Sequence, residues 1–269
     1  MEKLHERVHS IAHGGVSVLN AIPLNVGSTV AVDIGVEVCS SVNEHPKPSF
    51  GLVKAILDHF ENLTGNRFDA RITSTIPPAM GLKSSSAVSV ALIQAISSIS
   101  GINVFPPRLS AVISRRIGIS ITGAFDDAVS AYYGGCFITN NASMTIEKRI
   151  CFDPDSVFVI LANGKRQTIN PLSLKSRKEE FRDVLNMAKR NDIIGAMNLN
   201  GRLVAQCMNY DLKPVLLAEK LGAMASGISG NGPSVFALFR KGEEGPLVEK
   251  FSELGRTIVT RPVEFECED

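Results

Sequence analysis

The chain has 269 residues, long for one compact domain and comfortable for two that share a cleft. Apolar residues make up 44% and charged residues 20%, and the formal net charge is +1, so no broad field draws a polyanion. Tryptophan is absent and aromatics are 6%, which leaves little for a base-stacking surface and argues against nucleic-acid binding.

The five cysteines, Cys39, Cys136, Cys151, Cys207 and Cys267, are scattered and form no CxxC pair. Neither a zinc knuckle nor a disulfide framework follows, and a reducing cytoplasm is the expected setting. The opening MEKLHERVHS lacks the apolar core of a signal peptide. The most apolar stretch, Ser86 to Ile102, holds five serines and Gln94, too short and too polar to span a bilayer. His5, His9 and His13 would form one row on a helix. Gly14-Gly15 and the strand-like VSVLNA follow at once, so a solvated segment is expected there rather than a metal site.

In chain order, Val16 to Ala21 and Ser28 to Ser41 read as strands, rich in Val and Ile and bounded by Gly and Pro. Pro48 to Leu63 carries apolar residues at helical spacing and is followed by Gly65. Phe68 to Ile76 alternates and is stopped by Pro77-Pro78. A long apolar helix is expected over Ser84 to Ser98, and a second from Pro106-Pro107, prolines suited to a first turn. Gly134 to Asn140, Met144 to Ile150 and Val157 to Leu161 are further strands. Past residue 150 the character changes: Ser173 to Asn191 is charged and amphipathic, helices follow at 192–209 and 212–222, then strands near 224–229 and 233–239, a helix and a strand. The expected division is 1–150 and 151–269, and the class α+β, because strands and helices do not alternate strictly.

Three segments carry chemistry. In Ile76-Pro77-Pro78-Ala79-Met80-Gly81-Leu82-Lys83-Ser84-Ser85-Ser86-Ala87 a glycine turn leads into a helix opened by three serines. Unpaired N–H groups and the helix dipole make such an end a phosphate site, and Lys83 adds a full charge. An ordinary serine N-cap is the plainer alternative. The spacing is not that of GxxxxGK[ST]. The second segment, Thr122 to Val129, places Asp126 and Asp127 side by side after Gly123, either as a turn or cap or as an acid–base pair. The third, Ser226 to Ser234, has three glycines in six residues, a hairpin or an anion nest.

The first segment resembles the PxxxGLGSSAA motif of the GHMP kinases: Pro77, Gly81, Leu82, Ser84, Ser85 and Ala87 fall on it, while Lys83 stands for a glycine and Ser86 for an alanine. The forms GLKSSSA and TGAFDDA together are similar to the archaeal shikimate kinases of that superfamily, and the likeness runs the length of the chain. It implies a two-domain fold, with a left-handed βαβ unit in the N-terminal domain and a ferredoxin-like C-terminal domain. It implies transfer of the ATP γ-phosphoryl group to the 3-hydroxyl of shikimate, with Mg²⁺. ATP would lie along Pro77, Pro78, Ala79, Met80, Gly81, Leu82, Lys83, Ser84, Ser85, Ser86 and Ala87, steadied by the glycine loop Ser229, Gly230, Asn231 and Gly232. Asp126 would be the base and Asn20 a substrate contact. From the residues themselves, Asp127 reads as a cap on the following AVSAYY segment, and Arg166, in NGKR after a strand, is either the cation for the shikimate carboxylate or a solvated loop charge. The first-strand lysine of many GHMP kinases is missing, and LSAVISRRIGIS before Thr122 offers no glutamate for Mg²⁺, which leaves Ser85 with Asp126. Homoserine or mevalonate kinases share the motifs, and a non-catalytic ligand sensor is a reading from another class.

Overall fold

Val16, Val18, Val30, Val32, Val36 and Val38 recur at a spacing of two, and all are buried in a long antiparallel pair, β1 (Val8–Leu19) and β2 (Val26–Val42). The computed structural model describes residues 7–153 and 155–265. Strand β1 begins well before Val16 because its early inward positions are Ser10, Ala12 and Gly14, small residues that give no β-branched signal. His9 stands on the solvent side and meets Glu37 of β2 at 3.0 Å. His5 lies outside the described residues, and among the described residues no cluster could hold a metal ion.

Helix α1 (Gly51–Thr64) closes on Gly65 in the left-handed conformation and leads to β3 (Phe68–Ser74). Helices α2 (Ser84–Ser100), α3 (Pro106–Arg116) and α4 (Phe125–Tyr133) then carry the chain to β4 (Cys136–Asn140) and β5 (Thr145–Ile150). The sheet order is β1-β2-β4-β5, with β3 also on β2. Strand β3 pairs Val36 to Val42 and β4 pairs Val26 to Val30, so the two follow each other along one edge of β2 and point the same way. Helix α2 is apolar on most of its circumference, as a helix enclosed by other elements must be, and packs on β1 and β2.

The second sheet is antiparallel, in the order β7-β8-β6-β9: β6 (Ser156–Ala162), β7 (Ala225–Ile228), β8 (Val235–Arg240) and β9 (Arg256–Thr260). Between β6 and β7 run α5 (Pro171–Ser176), α6 (Lys178–Lys189), α7 (Ile193–Met208) and α8 (Lys213–Lys220), and between β8 and β9 runs α9 (Gly245–Leu254). This order is ferredoxin-like. The amphipathic stretch from Ser173 is two helices, broken at Arg177, whose guanidinium bonds Glu180. No described helix is long and apolar enough to cross a membrane.

Two features tie the sheets together. One apolar cluster takes in Val30 and Leu92 from the first half and Phe158, Phe181 and Phe236 from the second. The segment after β9 also returns to the first sheet, into the stretch of β2 left free between β3 and β4. Pro262 bridges Val32, Asp33 N–H donates to Arg261 C=O (2.9 Å), and Val263 N–H donates to Ala31 C=O (3.0 Å). Phe265 packs edge-on against Tyr133 and Phe137, with the Arg149 guanidinium 4.4 Å above its ring.

Helix α7 lies directly on β7 because Gly201 faces Gly227; a Cβ on Gly201 would collide with Gly227 Cα. Backbone cannot give way there. Gly201→Val should lower unfolding free energy by at least about 2 kcal/mol through overpacking, read by urea denaturation. An unchanged midpoint would mean that the two elements are not in contact.

Candidate active site

The loop after β3 turns on three residues with positive φ, Ala79 (60°), Gly81 (75°) and Lys83 (67°). A Cβ at Gly81 would strike Ser229 C=O and lie 3.1 Å from Gly232 O, so this glycine is required by close approach as well as by φ. The loop between β3 and α2 and the glycine loop are therefore in contact. Ser229 Oγ donates to Gly81 C=O (3.0 Å), and Ser234 N–H donates to Met80 C=O (3.3 Å). Lys83 is the N-cap of α2 and makes no side-chain cap bond; Ser84, Ser85 and Ser86 form the first helical turn, so no serine occupies the cap. The left-handed conformation costs a lysine about 1–2 kcal/mol relative to glycine.

What the lysine gains there is a set of strong partners. Lys83 Nζ donates to Ser17 Oγ of β1 at 2.7 Å and lies 2.8 Å from Asp127 Oδ1, with both side chains largely buried. Thr29 Oγ1 of β2 donates to the same carboxylate oxygen (2.7 Å), and Gly230 N–H donates to Ser17 Oγ (3.1 Å). One ammonium thus joins β1, the loop before α2, α4 and the glycine loop. Asp127 is not the helix cap expected of it: the N-cap of α4 is Ala124, with no side-chain bond, and Asp127 faces Lys83 instead.

Asp126, one residue earlier in the first turn of α4, is 4% exposed. Its Oδ1 accepts from Asn141 Nδ2 at 2.7 Å, and its own N–H donates to Asn141 Oδ1 at 3.1 Å. Its Oδ2 lies against Gly27 Cα, in the space a Cβ would take. Burial and the adjacent Asp127 charge push the Asp126 carboxyl up to about 7, against the opposing pull of Lys83 and the Asn141 bond.

These groups surround a cavity of about 260 Å³. The wall from Ala79 to Ser86, Asp126, Asp127, Asn20, Arg166, Gly230 and Asn231 all line it. Pro77, Pro78 and Ala87 do not; Pro77 and Ala87 are buried behind the wall, and Ser229 and Gly232 support the loop from outside the cavity. Arg166 is exposed at the mouth, whereas Ser85 offers an exposed hydroxyl on the wall. Asn20 lines the cavity but its polar atoms are engaged: Nδ2 donates to Gly230 C=O and to Asn231 Oδ1, and Oδ1 accepts from Ile22 N–H. It holds the glycine loop in place. Ser17, Thr29 and Asn141 have no signal in the sequence, since isolated serine, threonine and asparagine residues carry no spacing pattern; Thr122 opens the second segment, but its bond to Asn141 is visible only in the fold. Ile119 and Ile121 are exposed yet on the cavity wall, which apolar spacing does not signal.

The pattern of the GHMP kinases N terminal domain matches residues 51–135, and that of the GHMP kinases C terminal domain matches residues 160–257. The chain is 32% identical to the shikimate kinase of Thermococcus kodakarensis, over 93% of this chain and 97% of that protein. It is 31% identical to the shikimate kinase of Pyrococcus furiosus, over 91% and 95%. Among solved structures the fold is similar to that of the Methanococcus jannaschii mevalonate kinase, with a TM-score of 0.72 at 15% identity, covering 98% of this chain and 100% of that one. The chain belongs to the GHMP kinases, within the family of these archaeal shikimate kinases.

Proposed function

We propose that this protein is a shikimate kinase that transfers the γ-phosphoryl group of ATP to the 3-hydroxyl of shikimate. The observation that carries the chemistry is Asp126, a nearly buried carboxyl titrating near neutrality, set across one cavity from the N-terminus of α2. The acceptor is argued from the near full-length likeness to shikimate kinases. The four described cysteines are unpaired, which supports a reducing cytoplasm as its setting.

The phosphates of ATP lie against the free N–H groups and hydroxyls of Ser84, Ser85 and Ser86, where the helix dipole favours anions. Lys83, itself largely buried, offsets charge that develops on the transferred group. The acceptor oxygen attacks the γ-phosphorus, the bond to the β-phosphate oxygen breaks, ADP leaves, and the hydroxyl proton passes to Asp126 Oδ2. Arg166 at the mouth offers a planar cation to the shikimate carboxylate. Mg²⁺ would be held by the ATP phosphates, waters and the Ser85 hydroxyl on the cavity wall, a donor set that suits an ion commonly bound through one or two protein oxygens; the oxygens of Asp126 are taken by Asn141 and by the acceptor proton. When bound it would supply charge neutralisation on the triphosphate.

A coupled ADP-release assay across shikimate, homoserine, mevalonate and galactose should show turnover with shikimate, falling as pH drops through about 7 when Asp126 protonates. Turnover with another acceptor and none with shikimate would refute the reading. Asp126→Asn should lower kcat by about 10²–10⁴ with ATP affinity retained.

The same variant should be more heat-stable than the parent at pH 8. The folded carboxyl holds its proton to about pH 7, whereas the unfolded one loses it near its ordinary value, so burial of the charge costs stability as pH rises through that window. The gain in Tm should shrink towards pH 4; a gain independent of pH would contradict this electrostatic account.

Asp127→Asn should act differently, leaving Lys83 without its partner. A loss of about 3 kcal/mol is expected from breaking a largely buried pair. With the neighbouring charge gone, the acid limb of activity should move to lower pH. A normal melting temperature with an unmoved limb would exclude Asp127 from this network.

A further inference from the structure

The carboxyl of Asp126 has two oxygens, and the structure treats them unequally. Oδ1 is bonded by Asn141 Nδ2 at 2.7 Å, whereas Oδ2 rests against Gly27 and meets no other side chain in a hydrogen bond. Asn141 is itself fully buried and pinned from four directions. Its N–H donates to Asn25 C=O (2.7 Å), its Oδ1 accepts from Asp126 N–H (3.1 Å) and Thr139 Oγ1 (2.9 Å), and its C=O accepts from Arg115 Nη2 (3.1 Å). Its Nδ2 also reaches Thr122 Oγ1 (3.3 Å). An amide bonded at both ends cannot flip without breaking two bonds, so its N–H₂ is fixed towards Asp126.

We infer that Asn141 is a positioning residue of the phosphoryl transfer: it locks the χ angles of Asp126, occupies Oδ1, and leaves Oδ2 as the oxygen that receives the proton of the acceptor hydroxyl. The inference rests on Asp126 being the base and holds for any hydroxyl acceptor. The Asn141 bond also favours the ionised carboxylate. The charged groups facing Asp126 are Asp127 on its own helix and Lys83 at the head of α2; Arg115 of α3 reaches main-chain oxygens of Thr122 and Asn141, and β2 presents Gly27.

The test compares Asn141→Asp, which keeps the acceptor for the Asp126 N–H, with Asn141→Leu, which removes both ends of the amide. Two quantities are read: kcat with the Michaelis constants, and the side-chain conformation of Asp126 in a crystal structure of each variant. Loss of the donor should lower kcat by about 10²-fold, a typical share of a positioned base, with KM for ATP nearly unchanged. In both variants Asp126 should leave the rotamer that puts Oδ1 towards position 141 and Oδ2 against Gly27. A role in folding alone would lower the melting temperature and leave the Asp126 rotamer and the kcat of the folded fraction as in the parent. An unchanged Asp126 rotamer, or parental kcat in Asn141→Asp, overturns the inference. The crystallographic arm reads it even if the parent shows no turnover with shikimate, a result that would count against the functional reading instead.

Discussion

The site depends on one ammonium group held among buried partners. Lys83 Nζ sits between Ser17 of β1 and Asp127 of α4, and Ser17 in turn receives the Gly230 N–H. Removing a charge of this kind from water is expensive unless every lone pair and proton around it finds a mate. Here the mates come from parts of the chain remote in sequence, so the ion can be satisfied only when the loop before α2, the helix α4 and the glycine loop are all in place. Geometry around the cavity and integrity of the fold are thereby linked.

That arrangement also gives two adjacent carboxyls different characters. Asp127 has a cation and a hydroxyl; Asp126 has an amide, a glycine and the neighbouring negative charge. Their environments push them apart, which is the general way one turn of helix can hold both a fixed counter-ion and a proton acceptor. The left-handed backbone at Lys83 belongs to the same economy of design: a strained residue is tolerated where its side chain is held by three other segments.

Much of this was legible in the sequence. The strand pair, the long apolar helix after Pro77-Pro78, the prolines opening α3 and the glycine-bounded strands follow from local spacing and turn chemistry, and the structure has them within a few residues. Gly81, Lys83 and Asp126 were visible because they stand in motifs. The start of β1 was hidden by small inward residues, and the break at Arg177 by an uninterrupted amphipathic pattern. Asp127 was read as a cap because a carboxylate in a first turn usually faces the helix end; its partner lies forty-four positions upstream, beyond any local rule. Ser17, Thr29 and Asn141 are single polar residues whose meaning arises only from contacts across the fold.

The return of residues 261–265 to the edge of β2 has a bearing on how the protein is made. A chain emerging from the ribosome completes β2 early, and every element from α1 to β9 must follow before that edge is filled. Until then Ala31 and Asp33 present unpaired backbone groups, and Tyr133, at the far end of the helix that carries Asp126, lacks the Phe265 ring against which it packs. Long-range closures of this type slow folding and leave sticky edges exposed while they are pending. The helix that carries Asp126 is thus expected to become firm only once residues 261–265 have docked.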